Sequence, residues 1–217
     1  MIDTTPVLTS SAGPSAREGP NPTAPDGARS NGGAGAPAAP LAPGAPAPPF
    51  ALRWGPHRDA VLADFRGRPL VLAFYVADWH PVCTAQLERL RDVHPELEPL
   101  GAGLVAISAD TLWSHAAFAR AHGLPFPLLA DDRPRGGVAR AYGAYDAGAD
   151  RPRRALFVVD ARGTVAWSAA FPEGLDPGVD GLLTALEALP TAAGAPPTPP
   201  RPVAAQGEEA SRNGGVP

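Results

Sequence analysis

Residues 69–83 read PLVLAFYVADWHPVC, and their order predicts a strand, a short loop and the start of a helix. Pro69–Tyr75 is an apolar run bounded by Gly67 and Asp78, the pattern of a strand buried on both faces. Pro81 suits the first position of a helix, where its missing N–H is not needed. Beyond it Leu87, Leu90, Val93 and Leu97 recur at helical spacing. Cys83, the only cysteine among 217 residues, falls in the first turn of that helix. There the free backbone N–H groups and the positive end of the helix dipole favour an anion. A helix N-terminus or a nearby cation moves a cysteine from about 8.5 into a range of about 3.5–7.5, and the thiolate is the reactive form. The plain alternative is that Cys83 is a small buried hydrophobe.

Outward from this unit, strands and helices alternate. GLVAISA (103–109) reads as a second buried strand. Asp110 then suits an N-cap, and the helix over 111–122 stops at Gly123. PFPLLAD (125–131) gives a short strand and GGVARAYG (136–143) a short helix, while Asp131-Asp132 between them reads as a turn. RALFVVD and TVAWSAAF (154–160 and 164–171) flank the turn Ala161-Arg162-Gly163 as a hairpin, and residues 178–189 form a last amphipathic helix. The pattern predicts an α/β fold, a thioredoxin-like mixed sheet flanked by helices on both faces. The organised part is expected over residues 46–190. Residues 1–45 and 191–217 are Ala/Pro/Gly-rich tails, too poor in bulky apolar residues to offset the entropy of ordering.

Composition narrows the chemistry. The 18 basic residues are all arginine, so a phosphate-loop lysine and a Schiff-base lysine are both excluded. A formal charge of -4 gives no sign of a nucleic-acid or membrane-surface partner. One cysteine excludes an internal disulfide and a four-cysteine zinc site. With no basic start leading into an apolar run, and no apolar run of about 20 residues, the expected location is cytoplasmic. Ser114 and His115 are neighbours on a helix and face different ways, so they form no nucleophile–base pair. His115 and His122 share a face but stand two turns apart.

The stretch FYVADWHPVCTAQL resembles the active-site loop of the peroxiredoxins, the alkyl hydroperoxide reductase/thiol-specific antioxidant family. GAPAPPFAL (44–52), FRGRPLVLAFY, LVAISAD, HGLPFPLLAD, ARAYGAY and RALFVVDARG follow in that family's order. The resemblance implies a peroxidase that reduces hydrogen peroxide or organic hydroperoxides through Cys83, which becomes a sulfenic acid, with Arg154 as the active-site arginine. It implies no metal, flavin or haem, and a homodimer. Since the chain holds no second thiol, the sulfenic acid needs an external reductant: a thioredoxin, a glutaredoxin or a low-molecular-weight thiol.

Three positions depart from the family loop Pro-x-x-x-Thr/Ser-x-x-Cys. Val76 stands at the proline, His80 at the hydroxyl residue, and Gln86 where many members have Glu. His80 has three readings: it replaces the hydroxyl and holds the peroxide, it pairs with Cys83 as a thiolate–imidazolium couple, or it disables the peroxidase. The last would leave a redox sensor or protein-binding module. Thiol-based acyl transfer by His80 and Cys83 lacks an identifiable oxyanion hole and orienting group. Trp79 either shields the pocket, packs, or meets another subunit.

Overall fold

The computed structural model of the chain describes residues 39–172, 175 and 178–190. In chain order these form β1 (Ala51–Gly55), β2 (Arg58–Val61), a 3-10 turn (Leu62–Phe65), β3 (Leu70–Phe74) and α1 (Pro81–Leu97). Then come β4 (Gly103–Ser108), α2 (Leu112–His122), β5 (Leu128–Ala130) and α3 (Gly137–Ala141). The set closes with β6 (Tyr145–Asp146), β7 (Arg151–Pro152), β8 (Ala155–Val159), β9 (Val165–Ala170) and α4 (Asp180–Glu187).

Every residue of β3 is buried, as an apolar run without alternation requires. The seven-stranded sheet has the order β2-β1-β5-β4-β3-β8-β9, with β6 and β7 as a separate pair. β3 runs parallel to β4, and β4 to β5. β8, β9, β1 and β2 are antiparallel to their neighbours. The mixed sheet and its two helix-covered faces match the fold class expected from the strand–helix alternation.

Strand periodicity divides the core in two. Leu70, Leu72 and Phe74 of β3 join Ala155, Phe157 and Val159 of β8 on one face, with Ala139 of α3 and Tyr142 just beyond it. Val71, Ala73 and Tyr75 join Leu156 and Val158 on the other, beneath Cys83, Leu87 and Leu90 of α1, Phe118 of α2 and Leu182 of α4. In the first core Phe74, Tyr142 and Phe157 meet pairwise at 5.3–5.6 Å between ring centroids. Aromatic rings prefer such tilted and edge-on geometries to a face-to-face sandwich.

Several elements differ from the sequence expectation. The N-cap of α2 is Thr111, whose side chain accepts from Ser114 N, and not Asp110. Asp110 is engaged elsewhere by tertiary bonds. Asp131 is 1% exposed. It caps α3, accepting from Val138 N and Ala139 N, and the turn expected at Asp131-Asp132 lies instead at Arg133-Pro134. The β1–β2 and β6–β7 pairs are too short for periodicity to show. Organised backbone also begins before residue 46: Leu41 N donates to Tyr142 O and Gly44 N to Val165 O. Composition misses this because main-chain bonds and the one packed side chain of Leu41 hold the segment. The expected tails at 1–38 and 191–217 lie outside the described residues.

Gly143 closes this corner with a φ of 67°, and a Cβ there would lie 2.2 Å from the carbonyl oxygen of Ala39. Gly143→Ala is expected to lower the unfolding free energy by about 1–3 kcal/mol. Urea denaturation measures it; an unchanged midpoint contradicts this close approach.

Candidate active site

The loop from Tyr75 to His80 carries the chain from the end of β3 into α1. His80 is the N-cap residue in extended conformation and Pro81 opens the helix. The first helical bond runs from Thr84 N to His80 O at 2.8 Å. The N–H groups of Val82 and Cys83 lie ahead of it and have no acceptor within the helix. Cys83 is fully buried, on the α1 face that packs against Tyr75 and Leu156. Gln86 stands one turn further along the same face and is 2% exposed.

A buried polar network fixes the loop. Tyr75 Oη donates to Asp78 Oδ1 at 2.8 Å, and His115 Nδ1 lies 3.0 Å from Asp78 Oδ2. Asp78 N donates to Asp110 Oδ2, which also accepts from Ser108 Oγ, both at 2.8 Å. Burial pushes the Asp78 carboxyl up, but the hydrogen bond and charge of His115, with bonds from Ser114 and Tyr75, outweigh it. The net effect holds Asp78 below its ordinary 3.8. Burial, reinforced by the charge of Asp78, drives the Tyr75 phenol well above its ordinary value, so it stays a donor. Trp79, next in the loop, has a φ of 62°. That conformation is rare for a bulky residue and is held by edge contact with the Phe118 ring at 5.1 Å.

The sheet brings Arg154 to this loop. Phe74 pairs with Ala155, so Arg154 precedes β8 at the end of the sheet where the loop leaves β3. Alternation with Leu156 and Val158 puts Arg154 on the same face as Cys83. It is 2% exposed. Its Nη2 donates to Pro172 O at 2.9 Å, but its Nε and Nη1 are buried without a partner among the described residues. The same holds for Gln86 Nε2 and Oε1 and for His80 Nδ1. A hollow of about 150 Å³ reaches Arg154 between Asp146, Arg151 and Phe171, and Cys83 does not line it. Of the expected site residues, Cys83 and Arg154 thus share one face and one end of the sheet. His80 adjoins them at the helix cap, and no hydrogen bond joins it to Cys83 among the described residues.

Sequence reading missed the Tyr75–Asp78–His115 group. Neither Ser114 nor His122 is the partner of His115, which lies 37 positions away at Asp78. A His in an otherwise apolar face of α2 was the one available signal. His122 pairs instead with Glu88 of α1 at 3.0 Å.

Asp78→Asn is expected to destabilise the fold by about 1–3 kcal/mol at pH 7, since it weakens two buried bonds. A carboxyl depressed on folding contributes stability that is complete above its unfolded value and lost as the pH falls through the folded one. The gap between Asp78→Asn and the unaltered protein should therefore close below pH 3.8. Denaturant titrations across that range measure it.

The chain matches the AhpC/TSA family over residues 43–168. It is 39% identical over 119 residues to the chloroplastic peroxiredoxin Q of Sedum lineare, covering 54% of this chain and 63% of that protein. It is 35% identical over 123 residues to alkyl hydroperoxide reductase E of Mycobacterium tuberculosis, covering 56% and 80%. The matched region spans between half and two thirds of the plant relatives' length. Among solved structures, Mycobacterium tuberculosis AhpC superposes with a TM-score of 0.62 at 22% identity, over 69% of this chain and 93% of that one. Enterococcus faecalis AhpC gives 0.61 at 25%, over 67% and 90%. With the match running from ahead of the first strand through the loop, Cys83 and Arg154 into β9, the chain belongs to the AhpC/TSA family.

Proposed function

We propose that the protein is a thiol-dependent peroxidase whose Cys83 reduces hydrogen peroxide or organic hydroperoxides. The observation that carries this is the buried guanidinium of Arg154, which has two nitrogens unpaired on the face where Cys83 is buried. A buried unpaired donor costs about 1–3 kcal/mol. A substrate oxygen would recover that cost, and charged donors aimed at a developing oxyanion stabilise its transition state. The relatives include peroxiredoxin Q and alkyl hydroperoxide reductase E, which supports the same reading.

In the proposed reaction the Cys83 thiolate attacks the terminal oxygen of R–O–O–H. The S–O bond forms as the O–O bond breaks, and the leaving alkoxide takes a proton to become ROH. Sulfur is oxidised to Cys83–S–OH. Arg154 faces the oxygens with its planar fork, and the free N–H groups at the start of α1 face the sulfur. His80 replaces the hydroxyl residue of the family loop and contacts the peroxide through Nδ1. An external thiol R′SH then condenses with the sulfenic acid, releasing water and leaving Cys83–S–S–R′. A second thiol releases Cys83–SH and R′S–SR′. Sulfur supplies the redox chemistry, so no metal, flavin or haem takes part in the proposed cycle. The need for a reducing thiol pool favours a cytoplasmic location. Because Cys83 has no exposed surface, the peroxide enters as the loop and the start of α1 give way.

A homodimer belongs to the same proposal. Trp79 and Trp113, at 54% and 77% exposed, stand beside the loop and on the first turn of α2. Large exposed aromatic side chains suit an interface.

A dimedone-type sulfenic acid trap after brief peroxide treatment tests the chemistry. Rapid labelling at Cys83 is expected, absent in Cys83→Ser; labelling no faster than free cysteine sinks the proposal. Arg154→Gln should slow labelling about 10²–10³-fold. His80→Thr should slow it if the imidazole serves; a faster rate shows the histidine to be a defect. Sedimentation equilibrium should give a dimer, and Trp113→Arg should shift it to monomer without slowing Cys83.

A further inference from the structure

A cleft of about 570 Å³ lies apart from this site, lined by neither Cys83 nor Arg154. Trp54 of β1, Leu124 and Phe126 are among its mainly apolar walls. Arg68 reaches it from ahead of β3, and Glu98 and Ala102 from between α1 and β4. Of these two fixed charges, the Arg68 guanidinium lies 5.5 Å from the centre of the Phe65 ring. Glu98 is exposed at the C-cap of α1. The negative end of a helix dipole favours a cation at that place and disfavours a carboxylate.

The chain leaves the described residues next to this cleft. After α4, Leu189 and Pro190 line one small hollow together with Pro69 and Leu100. Pro69 follows Arg68 directly, and Leu100 stands two residues before Ala102. From Pro190 the sequence continues as TAAGAPPTPPRP over residues 191–202. The six residues from Thr191 to Pro196 reach at most about 20 Å, enough to cross that rim and enter the cleft. At the other end the described chain starts at Ala39, against Gly143, and neither of those lines the cleft. The run of prolines favours polyproline II, which repeats every three residues. Pro196, Pro199 and Pro202 then share one edge, and Pro197 and Pro200 the next. Segments of this kind dock in aromatic-lined grooves, because their conformation is already set and little entropy is left to lose. Arg201 is the only charged residue between Pro190 and Glu208.

We propose that residues 196–202, PPTPPRP, dock in this cleft of their own chain, with the prolines against Trp54, Leu124 and Phe126 and Arg201 beside Glu98. The short connection from Pro190 keeps the segment at an effective concentration on the order of millimolar, so a contact that is weak between separate molecules holds within one. The docking is independent of the chemistry at Cys83, which lies outside the cleft.

The test follows backbone amide signals of the full chain by NMR. Pro196→Gly, Pro197→Gly, Pro199→Gly and Pro200→Gly, made together, should move the signals of Ala102, Leu124 and Phe126 and leave that of Cys83 in place. Adding the free peptide APPTPPRPV, residues 195–203, to that variant should return them. The same peptide carrying Arg201→Glu should bind about 3–10-fold more weakly, as an exposed ion pair becomes a like-charge contact. Glu98→Arg in the chain should reverse the order of the two peptides. Unmoved signals in the glycine variant overturn the proposal, and so does a peptide that fails to return them. Shifts of the unaltered chain that grow with its concentration assign the cleft to a second copy and overturn it as well. Equal binding of the two peptides overturns the pairing of Arg201 with Glu98. None of these readouts requires Cys83 to react with peroxide.

Discussion

The carboxylate of Asp78 is buried against Tyr75 and His115, and its backbone N–H is tied to Asp110. That group fixes the path between β3 and α1, together with the bond from Tyr75 N to Ile107 O and the contact of Trp79 with Phe118. A strand end and a helix start can be joined in many ways across six residues. The network selects one in which α1 begins over the sheet with its free N–H groups beside a buried sulfur. On that path Trp79 keeps a positive φ, a conformation that persists only where the surroundings over-determine it. Three distant segments converge here: the loop, the end of β4 and the first turns of α2.

A second constraint comes from the sheet. An arginine at 2% exposure is costly to bury, because one carbonyl bond does not satisfy a five-donor fork. The β3–β8 register leaves Arg154 little choice: Ala155 must oppose Phe74 for two continuous apolar faces to form. Alternation then turns the preceding side chain toward α1. Core packing thus sustains a guanidinium in a position that hydrogen bonding alone would not. Polar groups held in place before the substrate arrives need no reorganisation during reaction, the condition under which electrostatic stabilisation is strongest.

The two faces of the sheet divide the work. Beneath α3 the core is aromatic and filled, with Phe74, Tyr142 and Phe157 locked at mutual angles. Beneath α1 and α2 it is mixed aliphatic and aromatic, and it admits the polar groups: Tyr75, Asp78, Gln86, His115 and Arg154 are all buried on or beside that side. Small alanines on α2 leave the cleft next to it. His115 lies between loop and cleft, with its Nδ1 bonded to Asp78.

The sequence by itself determined the order of the main strands and helices, the buried character of β3 and β4, and the placing of Cys83 in the first turn of a helix. These rest on local periodicity and on Pro81, which act over a few residues. It also supplied the family through a series of short phrases in order. Arg154 was nameable only through that resemblance, since nothing local separates it from Arg153. Tertiary structure alone decided the pairing of Asp78 with His115, the use of Asp110 as a loop anchor instead of a helix cap, the backbone bonds of Leu41 and Gly44, and the unpaired state of buried nitrogens. Each depends on groups tens of residues apart in the chain. Burial and hydrogen-bond satisfaction are properties of the assembled interior, and no local pattern of residues encodes them.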